Sequence, residues 1–412
     1  MKKIILHSDL NNFYASVECM LNPELRDKFV AVCGNREDRH GIVLAKNIAA
    51  KGCGVKTGET IWEAKLKCPE LVVVPPTYDE YIKYSRLTKA IYYDYTNLVE
   101  PFGMDECWLD VTGSTSLFGT GAEMAEKIRK RIKKEIGLTV SIGVSFNKIF
   151  AKLGSDMKKP DAVTEISHDS FREKIWSLPA EELLGVGRAT IKRLHKYNIL
   201  TIGDLANTDI NYLKAWFGKH GENIYNYANG FECQRVASFD YQAPIKSMGH
   251  GITCTTDLYT VEEVFRVIFE LTQNISHRLR LYSLKTSGVS LCVRDKSLSF
   301  REFQCQLPVS TMSSKEISSA AFTLFLNNYN REIPVRALTV RAINLSAASL
   351  PCQTTLFTDI TKHEKNEKIE CAIDKIRNRY GKTSITFASL IGDLKMPETR
   401  NSEIIMPSPM FV

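Results

Sequence analysis

Residues 102–110, FGMDECWLD, set two adjacent carboxylates, Asp105 and Glu106, inside a run of apolar residues that reads as a buriable β-hairpin, with Asp110 closing it. Ionised carboxylates left uncompensated in such a place cost several kcal/mol, so this stretch calls for ion pairing or for a metal at the strand end. A donor set made only of oxygen suits Mg²⁺ or Mn²⁺. A further carboxylate stands far upstream, where Ile4, Ile5 and Leu6 lead to Asp9 and a turn-like Asn11-Asn12. Two strands lying side by side would bring Asp9, Asp105 and Glu106 to one spot. Three convergent carboxylates can hold two divalent ions, which activate an attacking hydroxyl and steady the leaving oxygen of a phosphoryl transfer. The competing reading makes Asp105-Glu106 a solvated hairpin tip. Asp9 and its setting weigh against it.

A chain of 412 residues, 44% of them hydrophobic, has room for about two to four domains with real cores. Its net charge of +7 leans towards a polyanionic partner. Eleven cysteines form no CxxC pair and eight histidines are scattered, so no zinc-type spacing exists and reduced thiols are expected. The apolar stretch near the N-terminus is only Ile4 to Leu6, and no run approaches the roughly eighteen residues that span a bilayer. A cytoplasmic protein with no membrane association is expected.

Strand, Asp9, turn and then FYASVECML read as β followed by α, with Phe13-Tyr14 at the helix start, where free backbone N–H groups favour phosphate. Tyr14 there could stack beneath a nucleotide sugar, or be an ordinary core aromatic. FVAVCGN (29–35) and GIVLAKN (41–47) read as strands of a small subdomain reaching to about Thr77, with Lys51 and Lys56 as point charges for phosphate oxygens. A long helix is expected over 78–99, an amphipathic basic helix over 121–137 and a strand over 138–147. A short helix then precedes Lys158-Lys159-Pro160, which places Lys159 on a loop able to reach the carboxylates. The βαββαβ order over residues 4–166 predicts a ferredoxin-like α+β sheet.

Four stretches in this order, DLNNFYASVE, GIVLAKN with GVKTG, FGMDECWLD and SIGVSFNKIFAKLGSDMKKP, resemble the Y-family DNA polymerases, the translesion group that contains DinB and UmuC proteins, across residues 1–350. The resemblance implies a right-hand polymerase that copies damaged templates with low fidelity by two-Mg²⁺ nucleotidyl transfer, a mutator role in DNA repair, and a bacterial, nucleoid-associated location. It implies that Asp9, Asp105 and Glu106 are catalytic and, with Leu10, hold metal; that Asn12, Phe13, Tyr14, Lys51 and Lys159 form the nucleotide site, with Tyr14 as the steric gate against a ribose 2′-OH; and that Ile42, Val43 and Leu44 roof the templating pair. Two positions depart from the usual pattern: Ile48 stands where a Tyr is typical, and Lys51 where Arg is frequent. Those changes remove a hydrogen bond and a bidentate clamp on the triphosphate.

Further on, LPAEELLGVGRATIKRLHKYNILTIGDL (178–205) reads as two amphipathic helices flanking Gly185-Val186-Gly187. In such a helix-hairpin-helix the glycines let backbone N–H groups approach a DNA phosphate without reading sequence, with Arg188 adjacent. The organisation expected is a palm at 1–20 and 78–166, fingers at 21–77, a thumb at 167–232, a linker at 233–243, an α+β little finger at 244–348 and a tail at 349–412. Lys and Arg alternating on the little-finger strands suit a DNA backbone. In the tail, QTTLF offers Gln353, Leu356 and Phe357 and resembles the peptide that bacterial polymerases insert into the sliding clamp. A polar helix near 363–380 and a polar end follow, with no role assigned. The partners expected are primer-template DNA, deoxynucleoside triphosphates and the clamp. A nucleotidyl cyclase shares the sheet and carboxylates but leaves the helix-hairpin-helix unexplained; a weakly active DNA-binding accessory is the third possibility.

Overall fold

The structure, a computed structural model, describes residues 3–351 apart from 38, 40, 233 and 242, and residues 360–397. The chain divides into two compact units, one of residues 1–34 and 42–242 and one running on from Ala243 together with residues 35–41.

In the first unit β1 (Ile5–Leu10) leads into α1 (Phe13–Leu21). A small subdomain follows, with β2 (Val30–Cys33), β3 (Val43–Lys46), α2 (Ile48–Gly52), α3 (Ile61–Lys67) and β4 (Val72–Val74). Next come α4 (Tyr78–Tyr93), β5 (Val99–Phe102), β6 (Glu106–Asp110), α5 (Thr115–Phe118), α6 (Gly121–Glu135), β7 (Val140–Ser145), α7 (Lys148–Met157) and β8 (Val163–Ile166). The main sheet has the order β5-β6-β1-β7-β8. Its central strand, β1, is buried at all six residues because it is covered on both faces. Leu6 and Leu10 face a core shared with Tyr92 of α4 and with Met124 and Ile128 of α6, whereas Ile5 packs with Trp108 and with Ala151 of α7. The alternation of a strand therefore sends Leu6, Ser8 and Leu10 one way and Ile5, His7 and Asp9 the other. The expected α+β sheet forms, but the helix expected over 78–99 stops at Tyr93: Thr96 Oγ1 donates to the Asp110 carbonyl at 2.8 Å, and Val99 is already in β5.

The small subdomain is a three-stranded sheet, β3-β2-β4, around Ala31, Val43, Ala50, Val55 and Ala64. Beyond the main sheet, α8 (Phe171–Ile175), α9 (Arg188–His195), α10 (Ile202–Asn207), α11 (Ile210–Phe217) and α12 (Lys219–Ala228) gather around Leu194, Leu205, Leu213 and Ile224. The first helix expected before Gly185 is only a 3-10 turn, Ala180–Glu182, because Pro179 pairs with Thr201 as a β-bridge and draws the chain out of helix. Past α12 the expected linker lies against β5 and the residues before it: Val236 is buried, Ala237 N–H donates to Glu100 at 2.9 Å, and Phe239 N–H donates to the Asn97 carbonyl at 3.0 Å.

The second unit contains β9 (Ser247–Leu258), α13 (Val261–Leu281), β10 (Leu284–Asp295), β11 (Phe300–Thr311), α14 (Ser314–Asn328), β12 (Val335–Ala347) and α15 (Ile360–Tyr380). Its four strands have the order β11-β10-β12-β9, and α13 and α14 pack on one face around Leu271, Ile275, Leu291, Ala321 and Leu338. The polar helix read from the sequence as part of a separate tail is bound to this unit through charge. Glu370 of α15 is 5% exposed and accepts hydrogen bonds from Ser314 N–H at 2.9 Å, Ser313 Oγ at 2.8 Å and Arg280 Nη1 at 2.7 Å. It thereby caps α14, whose own N-cap side chain makes no capping bond. Gln353, Leu356 and Phe357 lie outside the described residues.

Candidate active site

Antiparallel pairing of β1 with β6 sets Asp9 directly opposite Glu106, and Asp105 sits in the turn before β6, where Gly103 at φ +79° lets the hairpin reverse. Leu10 N–H donates to the Asp105 carbonyl at 3.0 Å, which ties the end of β1 to that turn. The expected convergence of Asp9, Leu10, Asp105 and Glu106 is thus a consequence of register. These residues line a cleft of about 370 Å³ together with Asn12, Phe13, Tyr14, Leu44, Ala45, Lys46, Thr57 and Lys159.

Two lysines answer the acidic cluster. Lys159 Nζ lies 2.5 Å from Asp9 and 2.8 Å from Asp156, and Lys152 Nζ lies 2.5 Å from Glu106 Oε2. Burial first, and then the neighbouring Glu106 and Asp105, push the Asp9 carboxyl above its ordinary value, while Lys159 opposes. Lys159, against its own burial, is held above its usual range by Asp9 and Asp156, so the ion pair is favourable and the upward push on Asp9 reflects crowded, buried carboxylates. Asp105 is raised by burial and by Glu106. Glu106 goes the other way: although burial works against its charge, His7 and Lys152 hold it down at about 2. Burial keeps His7 neutral, at about 4.

Among the described residues no group of three His, Cys, Asp or Glu side chains is gathered as a ready metal cage. The orientation of Asp9 and Glu106 onto lysines accounts for this. The chemistry of the donor set still fits a hard divalent ion: three adjacent carboxylates, two of them pushed up by mutual repulsion and burial, gain most from added positive charge.

Lys159 is fixed from behind. Asn11 Oδ1 accepts from Asp161 N–H at 2.9 Å, and the Asp161 carboxylate pairs with Arg129 at 2.5 Å and Lys133 at 2.7 Å. Tyr14 is likewise braced. Its ring stacks on Tyr81, centroids 4.2 Å apart and 7° from parallel, and meets the edge of Tyr78 at 6.1 Å. Tyr81 OH donates in turn to Glu18. Burial and the charge on Asp105 push the Tyr14 phenol up to about 12, so it stays protonated beside the carboxylates. Phe13 is 3% exposed and belongs to the core, although its edge reaches the cleft.

The subdomain residues divide differently from the expectation. Along β3 the side chains alternate: Val43 is fully buried in the subdomain core and cannot serve as roof, whereas Leu44 lines the cleft and Ile42 is 41% exposed. The lysine that the small subdomain contributes to the cleft, beside Lys159, is Lys46 and not Lys51. Lys46 donates to Thr57 Oγ1 at 2.7 Å, and burial and then Lys51 lower its pKa. Sequence reading passed over Lys46, though a period of two from Leu44 points straight to it. Lys51 stands at the exposed end of α2, close enough to Lys46 to be felt electrostatically.

Away from the cleft, Gly185 has φ +94° and Gly187 is the N-cap of α9, which no side chain caps, so its first-turn N–H groups are available beside exposed Arg188. On the second unit, Gly249, Gly251, Thr253, Arg294, Thr339 and Arg341 line a groove on the sheet face opposite the helices. No described helix is long and apolar enough to cross a membrane.

Comparison with known proteins gives the family and the fold. Residues 8–156 match the model of the impB/mucB/samB family, residues 245–356 that of its C-terminal domain, and residues 181–232 that of the DNA polymerase-iota thumb domain. DNA polymerase IV of Acetivibrio thermocellus is 50% identical, with 95% of this chain and 98% of that protein covered. DNA polymerase IV of Pelotomaculum thermopropionicum is 37% identical over 93% and 94%, and DNA polymerase IV 1 of Bacillus subtilis 35% over 92% and 91%. A solved Y-family DNA polymerase chimera superposes with a TM-score of 0.74 at 23% identity, covering 84% of this chain and 99% of its own.

Proposed function

Because the chain belongs to the Y family of DNA polymerases, in its DinB/UmuC-like branch, and so is a DNA-directed DNA polymerase acting on DNA and nucleoside triphosphates, we propose that it synthesises past template lesions with low fidelity, using two Mg²⁺ ions at Asp9, Asp105 and Glu106. The observation that carries this reading is the cross-strand register of Asp9 with Glu106 beside Asp105, under a cleft that also contains Tyr14 and Lys159. Family membership implies divalent-metal dependence in general; the three carboxylates and the Leu10 main chain would hold the ions, which supply charge neutralisation at the attacking and leaving oxygens.

The remaining roles belong to the chain itself. Lys159 exchanges Asp9 for the incoming triphosphate, aided by Lys46 and, from further out, Lys51. Tyr14 lies under the sugar and excludes a 2′-OH, with Asn12 and Phe13 shaping that end of the site. Leu44, Ala45 and the small three-stranded fingers present little bulk above the templating pair, which suits lesion tolerance and a mutator role in DNA repair. The palm, fingers, thumb and little finger are assigned the limits read from the sequence, with α15 added to the little finger. The α9 N-terminus with Gly185, Gly187 and Arg188 takes DNA phosphates, as does the open sheet face of the second unit. Gln353, Leu356 and Phe357 engage the sliding clamp, and the protein works in the cytoplasm on the nucleoid. Primer extension tests the core of this: Asp105→Ala or Glu106→Ala should abolish extension and leave DNA affinity largely intact, since what is lost is transition-state charge stabilisation. Near-normal turnover in either variant would refute it.

A further inference from the structure

His7 is fully buried and polar, and beyond its electrostatic effect on Glu106 it has been given no part in the site. It lies on β1 on the same face as Asp9, opposite Trp108 on β6 and Gly143 on β7. Close packing of α7 confines it. A Cβ at Gly143 would stand 1.8 Å from the Ala151 carbonyl oxygen, so only glycine lets α7 come this near the sheet. That approach brings Ser155 Oγ of α7 to 2.9 Å from His7 Nδ1. On the other side His7 Nε2 faces Glu106 Oε2 at 3.2 Å, and no other group takes this nitrogen. The ring also meets Trp108 in an edge-on contact at 5.0 Å.

We infer that His7 is a positioning residue for Glu106: held by Ser155 and Trp108, its ring offers the carboxylate one fixed hydrogen-bond direction and so sets how Glu106 enters the metal site. This rests on the reading of Glu106 as a metal ligand. The carboxylate beside Nε2 selects the tautomer. Ser155 Oγ donates to the Lys152 carbonyl at 2.7 Å and lies 2.9 Å from His7 Nδ1, so it has one proton to place between the two. If its proton goes to Nδ1, the imidazole proton sits on Nε2 and is given to Glu106; the opposite arrangement points a nitrogen lone pair at a carboxylate. Lys152 shares the same Oε2, so His7 and Lys152 together anchor one oxygen of the carboxylate, and no described hydrogen bond reaches the other. Partners behind a metal-ligating carboxylate change metal affinity about 10–100-fold when removed.

The test uses the full chain and Mn²⁺ alone, titrated by electron paramagnetic resonance of the free ion, together with kcat and KM for nucleotide. His7→Phe keeps an aromatic ring against Trp108 and removes both nitrogens; it should weaken Mn²⁺ binding about 10–100-fold and lower kcat while nucleotide KM and DNA affinity stay near the parent. His7→Gln, which restores a donor near the Nε2 position, should recover most of both. Parent-like Mn²⁺ affinity and kcat in His7→Phe would overturn the inference. If His7→Phe fails to fold, Ser155→Ala decides: weaker Mn²⁺ binding supports the inference and unchanged binding overturns it. An active Glu106→Ala would instead sink the underlying metal reading, so the two failures are distinguishable.

Discussion

Replacing Tyr14 by Ala should open the cleft to ribonucleotides. The ring is not free to yield: Tyr81 stacks on one face at 4.2 Å, Tyr78 meets it at 6.1 Å, and Tyr81 is itself tied to Glu18. A 2′-OH driven against a ring so braced must move packed atoms, a penalty of about 1–3 kcal/mol and sometimes more, or roughly 5- to 150-fold in relative kcat/KM. In Tyr14→Ala that ratio should collapse towards unity. The fold loses three ring contacts, to Phe13, Tyr78 and Tyr81, worth about 0.5–1.5 kcal/mol each. Tyr14→Phe keeps the ring and should keep most of the discrimination. Phe13→Ala, by contrast, removes a core side chain and should lower deoxy and ribo insertion together, with a stability loss of about 3–5 kcal/mol. Single-nucleotide insertion with matched deoxy and ribo triphosphates measures all three. A parent-like ratio in Tyr14→Ala would mean that the ring only packs, and the steric argument would be wrong.

Lys46→Ala should raise nucleotide KM on the order of tenfold or more, the worth of one charge-assisted contact, with a smaller change in kcat; Lys51→Ala should do less, because Lys51 lies outside the cleft. Glu370→Ala should destabilise the second unit by about 1.5–3 kcal/mol, because Arg280 keeps Asp374 but loses one of its two carboxylates and α14 loses its cap; urea unfolding followed in that unit measures it. The same region should lose stability in acid. Burial opposes the charge of Asp374, yet His277 and Arg280 hold its carboxyl down at about 2, below its ordinary 3.8, so the stabilisation is complete above 3.8 and disappears as pH falls through 2. Leu356→Ala with Phe357→Ala should remove apolar anchors worth about 1.5–3 kcal/mol each from clamp binding while short-primer extension is unchanged.

Much of the candidate site was legible in the sequence alone. Carboxylates inside apolar strands are costly enough to be informative, and Asp9, Asp105 and Glu106 stood out for that reason. Strand periodicity and turn chemistry then placed β1, β6, β7 and the long strands of the second unit, because each depends on neighbours only a few residues away. Where local patterns compete, periodicity alone misplaces an element's end. The 78–99 helix ran past Tyr93 because nothing local announces that Thr96 will be captured by Asp110, and the turn before Gly185 looked helical because its β-bridge partner, Thr201, lies beyond the next helix.

Contacts between distant residues belong to the tertiary structure alone. Which of Lys46 and Lys51 enters the cleft, and that Val43 turns inward, depend on how the three-stranded sheet is seated. The pairing of Lys159 with Asp9, of Lys152 and His7 with Glu106, and of Glu370 with Arg280 spans tens to more than a hundred positions of sequence. No periodicity encodes such partners. What this sequence determined alone was the set of groups that cannot be buried unsatisfied; which partner satisfies each one was decided by packing, since burial makes the charge costly and only the assembled sheet and helices bring the compensating group within hydrogen-bond reach.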